Sequence, residues 1–382
     1  ERGPGTIVRV PAYLDHAAGG PLSPEAARAM RPWLEGSFGN PSGAHSIARS
    51  ARAALDEARD QLAEVLGVPP GGVVFTSGGT EADNLAVLGS LAARPGPVVV
   101  SAVEHPAVLE AALASGQEVR VAPVGGDGIV DPDGLRQLLD RDVSLVSLQL
   151  ANQETGVIQP LEHLAGLVRR RAPNAVLHTD AVQAAPWLDL AREAAAADIL
   201  SVSGHKWGGP QGIGALGFRP GAVLRPVMYG GGQERELRSG TQNVAGAVGL
   251  AAAARASADS RAVASERVAA MRDELATRIR AGVPGCLETG ASSLRTPGHL
   301  HMVFPGVESE SLLVLLDEAG VCASAGSACA SGAMEPSPVL LAMGVTKEEA
   351  MSALRLSLGP STSDDDIEIA ATAVCEAVAR LS

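Results

Sequence analysis

Two spacings of apolar positions alternate along the chain. A 3.6-residue period over Pro24–Leu34 predicts a helix with Ser23 as its N-cap. The same period over His45–Leu66 predicts a longer amphipathic helix with many Arg and Glu on its polar face. Short apolar runs follow at Val73–Thr76, Val98–Ala102, Val119–Pro123, Ser144–Gln149, Ala175–Thr179, Asp198–Ser203 and Ile213–Phe218. Between most of them lie helical segments, Glu81–Leu91, Pro106–Ala114, Leu135–Asp140 and Leu161–Arg171. Strands that alternate with helices predict a mostly parallel sheet with both faces covered, so the fold class is α/β with about seven strands in one large domain.

The texture changes near residue 245. Val244–Ala254 reads as a small-residue apolar helix and Ser260–Ala281 as a charged one. Beyond them come a strand at His299–Phe304, a helix at Glu310–Ala319, a Gly/Ser/Ala loop at Ala323–Gly332 and a further segment at Lys347–Ser357. This predicts a smaller α+β domain, made of residues 1–16 with 256–382, beside a large domain of residues 17–255.

Composition narrows the function. The chain has 382 residues, 46% hydrophobic and 19% charged, which suits a globular protein of two or three structural units. A net charge of −13 with no basic run argues against nucleic acid and anionic membrane partners. No apolar run is long enough for a membrane helix, and Glu1–Pro11 has no signal-peptide pattern. The four cysteines, Cys286, Cys322, Cys329 and Cys375, form no Cys-x-x-Cys pair and point to a reducing, cytoplasmic setting. Among 30 basic residues only Lys206 and Lys347 are lysines. Arginine cannot replace an amine of movable pKa, so each surviving lysine matters.

Seven motifs bear on chemistry. In "SVSGHKWGGPQGIGAL" Lys206 follows Ser203 and His205 at the end of a strand, where open α/β sheets bind ligands and where an amine can bond a carbonyl. In "LHTDAVQAAP" Asp180 ends the preceding strand with Gln183 three residues on; such a carboxylate is either a helix cap or the partner of a buried cation. In "FTSGGTEADN" the turn at Gly79 and Thr80 opens a helix and can take a phosphate. In "VEHPAV" His105 follows a strand and precedes Pro106; it is either a structural histidine or one that stacks on a flat cofactor and shuttles protons. Cys329, in "CASAGSACASG", sits among small residues, as nucleophile or bystander; the other three cysteines read as buried small hydrophobes. Arg355, in "ALRLSLG", needs an anion, either a structural carboxylate or a substrate. Gly230–Asn243 reads as a long irregular loop that contains Thr241.

Together these motifs resemble the cysteine desulfurases of the fold-type I, class V aminotransferase-like pyridoxal phosphate enzymes. The resemblance runs from "YLDHAA" at Tyr13 to "SLGPST" near Thr362, and the short "GSAC" loop is similar to that of enzymes that hand sulfur to iron–sulfur or thiolation partners. It implies that Lys206 bonds the cofactor and moves substrate protons. Asp180 would hold the pyridine nitrogen protonated, Gln183 would bond the phenolic oxygen, and His105 would stack on the ring and assist proton transfer as a catalytic residue. Gly79, Thr80, Ser203 and His205 would hold the phosphate, with Thr241 reaching the phosphate of the other subunit of a homodimer. Arg355 and Asn152 would bind substrate, and Cys329 would attack the sulfur of L-cysteine to form a persulfide, with alanine as product. No metal is implied. The acceptor would be an iron–sulfur scaffold, a thiolation enzyme or a sulfur carrier.

The sequence departs from the family pattern in two places. Gly19 and Gly20 stand where a pair of threonines is usual, and Gln153 stands where the ring-contacting asparagine is usual. Two other readings compete: a selenocysteine lyase or other β-eliminating pyridoxal phosphate enzyme, and a non-catalytic scaffold that binds a partner protein.

Overall fold

The computed structural model describes residues 11–326 and 335–382; Cys329 and residues 1–10 of the expected small domain lie outside them. The large sheet has seven strands. Across it run Val73–Thr76, Gly214–Phe218, Ile199–Ser203, Val176–Asp180, Leu145–Ser147, Val98–Ser101 and Val119–Ala122. Gly214–Phe218 is antiparallel to both neighbours and the other six strands share one direction. The mostly parallel α/β sheet expected from the sequence is therefore present. Its inner strands are buried at every position except Val176 and Phe218, because helices cover both faces. The edge strand Val119–Ala122 is partly exposed, and Arg120 on it pairs with Glu118 and Asp140, which blunts the edge.

Local signals set the helix ends. Ser23 Oγ accepts from the Ala26 amide at 3.2 Å and starts Pro24–Glu35. His45 Nδ1 accepts from the Ala48 amide at 3.3 Å and starts Ser46–Leu66, which stops at Gly67 in the left-handed region, φ 65°.

One expectation is corrected. The two helices expected at 244–254 and 260–281 are one helix of 39 residues, Val244–Gly282. The intervening Arg255–Asp259 contains neither Pro nor Gly, so nothing interrupts the backbone ladder. At 1.5 Å per residue the helix is about 58 Å long. Its first half, with Ala247, Leu250 and Ala254, packs into the core beneath the large sheet. Its second half, with Val268, Leu275 and Ile279, packs into a second core.

That second core lies on a three-stranded antiparallel sheet, ordered Ala353–Ser357, His299–Val303, Leu287–Glu288. Helices Ser309–Glu318 and Asp364–Leu381 contribute Leu312, Leu316, Ile367 and Val374 to it. The segment Ala12–Tyr13 pairs in parallel with Val321–Cys322, so the beginning of the described chain joins this second core. A second correction concerns cysteines. Cys286, Cys322 and Cys375 are only partly buried: Cys286 precedes the short strand Leu287–Glu288, Cys322 ends Val321–Cys322, and Cys375 lies within the last helix. Burial still pushes all three thiols up.

Candidate active site

The six like-directed strands end along one edge of the sheet, and a cavity of about 350 Å³ lies there. Asp180 and Ser203 are the last residues of their strands, and Gly204–Lys206 is a single 3-10 turn that follows at once. His105 follows Val98–Ser101, and Gly79 opens a helix three residues after Val73–Thr76. Loops that leave adjacent parallel strands converge at this edge, which brings together residues distant in sequence.

The cavity is lined by Lys206, Asp180, Gln183, His105, Ser203 and His205, and by Gly79, Thr80, Gln153 and Arg355. Lys206 Nζ donates to the carbonyl of Ala17 and, at 2.9 Å, to that of Ala18. Burial, reinforced by the Arg355 charge, pulls its ammonium down to about 8. Gln183 Nε2 donates to the Ala17 carbonyl at 2.8 Å. Asp180 Oδ1 accepts from the Val182 amide at 2.9 Å. His105 caps its helix by accepting the Ala107 amide on Nδ1 at 3.1 Å, which leaves Nε2 for other contacts.

Ser203 Oγ and His205 Nδ1 are 2.8 Å apart. Burial and the neighbouring Lys206 pull His205 down to about 4, so its ring is neutral. Facing them, the helix Gly79–Ala93 starts without a side-chain cap, so its first amides are free to meet an anion. A Cβ on Gly79 would lie 2.8 Å from Val182 Cγ2, so only glycine fits that close approach.

Arg355 is buried on the strand Ala353–Ser357. Nη2 donates to Asp15 Oδ1 at 2.6 Å and Nη1 to the Gln153 carbonyl at 3.0 Å, while Nε has no partner. Both alternatives for an arginine there are thus partly used: a structural carboxylate holds one edge and another donor stays free.

Asn152, expected to bind substrate, does not line the cavity, and Thr241, expected to serve the other subunit, does not line it either. The Asn152 side chain is taken up in its own turn: Oδ1 accepts the Glu154 and Thr155 amides at 2.9 Å, and Nδ2 donates to the Val103 carbonyl at 3.1 Å. Thr241 is exposed in the loop before the long helix. Gly19 and Gly20 are tied by Tyr13 Oη to the Gly19 carbonyl, 2.6 Å, and by the Gly20 amide to the His205 carbonyl, 3.1 Å. A Cβ on either would make ordinary contacts at 3.5 Å, so neither position requires glycine.

The sequence analysis missed Asp83, Glu104 and Asp15. Asp83 lies in "GTEADN" beside Asn84, and Glu104 lies in "VEHPAV" beside His105; both are buried, and their polar neighbours in sequence gave no sign of it.

Lys206 and Asp180 thus leave adjacent strands and share one cavity at the edge of this sheet. Residues 12–369 match the class-V aminotransferase family, and the chain belongs to it. Within that family it belongs with the cysteine desulfurases. It is 41% identical over 382 residues to an IscS-like cysteine desulfurase of Mycobacterium tuberculosis, covering 97% of this chain and 96% of that protein. Among solved structures it is similar to a NifS-like protein, with TM-score 0.91, 31% identity and coverage of 97% and 100%. It is also similar to SspA in complex with cysteine, with TM-score 0.78, 30% identity and coverage of 92% and 99%. No described helix is long and apolar enough to cross a membrane.

Proposed function

We propose that the chain removes sulfur from L-cysteine, with pyridoxal phosphate as cofactor, and passes that sulfur to an acceptor protein. The observation that carries this reading is the convergence of Lys206, Asp180, Gln183 and Arg355 with an anion cradle on one cavity.

The residues suit that cofactor. The uncapped helix start at Gly79, with Thr80, Ser203 and His205, offers donors to a phosphate dianion. Asp180 offers a buried carboxylate to a pyridine N–H, Gln183 an amide to the phenolic oxygen, and His105 a ring to the flat face. Lys206 offers the amine that bonds the aldehyde, and its lowered pKa leaves part of it unprotonated near neutral pH. When bound, the cofactor supplies an electron sink that stabilises negative charge on the substrate's carbon skeleton.

The chain's own groups do the rest. Arg355 receives the substrate carboxylate, with Nε free and Asp15 holding its other edge. Lys206 takes the Cα proton and later returns one to the product carbon. The Cys329 thiolate attacks the substrate sulfur: an S–S bond forms, the C–S bond breaks, and its electron pair stays with the carbon that becomes the methyl group of alanine. Free L-cysteine and one thiol thus give L-alanine and one persulfide, which is a reversible state of cysteine. In the same reading residues 17–255 hold the cofactor, 1–16 with 256–382 carry the cysteine loop, and Thr241 serves the phosphate of the other subunit in a homodimer.

The test is L-cysteine turnover by wild type and Cys329→Ala with a reductant present, scoring alanine and sulfide together. Equal yields from the wild type and none from the variant are expected. Alanine and sulfide, or another elimination product, formed equally well by Cys329→Ala would replace the reading with a β-eliminating lyase. A protein that takes up no pyridoxal phosphate would replace it with a binding scaffold.

A further inference from the structure

Five buried polar side chains run in a row beneath the cavity. Three stand on neighbouring strands, where the register sets Ser147 opposite His178 and Asp180 opposite Ser201. The His178 ring lies between two hydroxyls, with Nδ1 2.9 Å from Ser147 Oγ and Nε2 3.0 Å from Ser201 Oγ. An acid adjoins each end, Glu104 beside Ser147 and Asp83 beside Ser201. None of the five is more than 6% exposed. At the Asp83 end the row meets the site: Asp83, His105 and Asp180 bring oxygen or ring-nitrogen atoms within 4.8 Å of one another.

Two carboxylates this close in a dry interior do not both stay charged. Their surroundings are unequal. Asp180 accepts the Val182 amide at 2.9 Å and lies in the field of the Lys206 ammonium. Asp83 Oδ1 has no hydrogen-bond partner; both acids share His105, and the other ring beside Asp83 is His178, with Nε2 at 3.6 Å. Burial pulls that imidazole down to about 3, so it brings no positive charge.

We propose that Glu104, Ser147, His178, Ser201 and Asp83 form a one-directional hydrogen-bonded relay in which Asp83 is the neutral acid, so that the negative charge of the Asp83–Asp180 pair stays on Asp180. The donors run from Asp83 O–H to Ser201, from Ser201 O–H to His178 Nε2, from His178 Nδ1–H to Ser147, and from Ser147 O–H to Glu104. A neutral imidazole has one N–H, so this order leaves each hydroxyl one bond to give and one to receive. Burial and the Asp180 charge push Asp83 well above the usual carboxylate range, in line with this order; burial pushes Glu104 up to about 8 as well, and its carbonyl oxygen can still accept from Ser147. Asp83 and His178 are positioning residues: they act through Asp180. The task of Asp180 at a pyridine nitrogen rests on the function proposed above; the protonation states do not.

Infrared difference spectra of wild type against Asp83→Asn test the assignment at neutral pH. A buried carboxylic-acid stretch that disappears in the variant is expected, with the visible band of the pyridoxal phosphate-loaded protein unmoved, because asparagine is also neutral. No lost stretch, or a visible-band titration displaced by about one pH unit, would overturn the proposal. Nitrogen-15 NMR of His178 in the wild type is expected to show the Nδ1–H tautomer; Nε2–H would overturn the direction of the relay. If the variant does not fold, carboxyl carbon-13 NMR of the labelled wild type decides the charge of Asp83. All three measurements run on cofactor-free protein as well. A chain that takes up no cofactor would therefore overturn the function proposed above and leave the relay still decided.

Discussion

Arg355 and Asp15 are joined at 2.6 Å across 340 positions of sequence, and the bond ties the strand Ala353–Ser357 to the segment that follows Ala12–Tyr13. The pair also fixes the plane of the guanidinium, because Nη1 is held by the Gln153 carbonyl at 3.0 Å. In the function proposed above, a substrate carboxylate would meet a donor that is already oriented.

Arg355→Ala should raise the KM for L-cysteine about 10- to 150-fold, the equivalent of roughly 1.5–3 kcal/mol for hydrogen bonds to a charged group. Asp15→Asn should raise it less, since the guanidinium stays and loses only its orienting partner. Steady-state kinetics on both variants checks this, and an unchanged KM in Arg355→Ala would remove Arg355 from substrate binding.

Lys206 makes the stability of the cofactor-free protein depend on pH. Its folded pKa, about 8, lies below its ordinary value of 10.5 because burial disfavours the ammonium. Between those two values the unfolded chain binds more protons than the folded one, so stability rises with pH across that window. The slope contributed by this one group approaches about 1.4 kcal/mol per pH unit. Urea unfolding of wild type and Lys206→Met should show the variant more stable near pH 7, with the gap closing toward pH 10. A gap that stays constant with pH would contradict the burial argument.

Arg59 and Glu234 form a buried two-pronged ion pair, with both contacts at 2.8 Å, and Glu234 also accepts the Phe75 amide at 2.9 Å. Removing either partner leaves an uncompensated charge in the interior. Arg59→Ala and Glu234→Ala should each cost about 3–5 kcal/mol, and Arg59→Met with Glu234→Leu should cost less than the sum of the two. Denaturant midpoints measure all three.

The same pair anchors an unusual turn. Glu234, Arg235 and Glu236 have φ of 46°, 60° and 65°, three consecutive non-glycine residues in the left-handed region. Each such residue costs about 1–2 kcal/mol. Arg235→Gly should therefore stabilise the fold by roughly 0.5–1 kcal/mol after the extra freedom of the unfolded chain is counted. A lower denaturant midpoint in Arg235→Gly would show that the Arg235 bond to the Pro70 carbonyl, 3.1 Å, outweighs the strain.

Much of this protein was legible in its residue order. The alternation of apolar runs and amphipathic segments determined the seven strands and the helices between them, because burial on both faces of a parallel sheet demands that pattern. The scarcity of lysine and the strand-end placement of Asp180 and Lys206 pointed to the edge where the cavity lies. Spacing could not tell that Val244–Gly282 is one helix, since a change of composition from apolar to charged mimics a break where the backbone has none. Nor could it separate Asn152, which is consumed by its own turn, from Gln153, which lines the cavity. Strand order and register belong to the tertiary structure. They alone set Ser147, His178 and Ser201 side by side and brought Asp83 against Asp180, because contacts between residues that distant in sequence depend on which strands are neighbours.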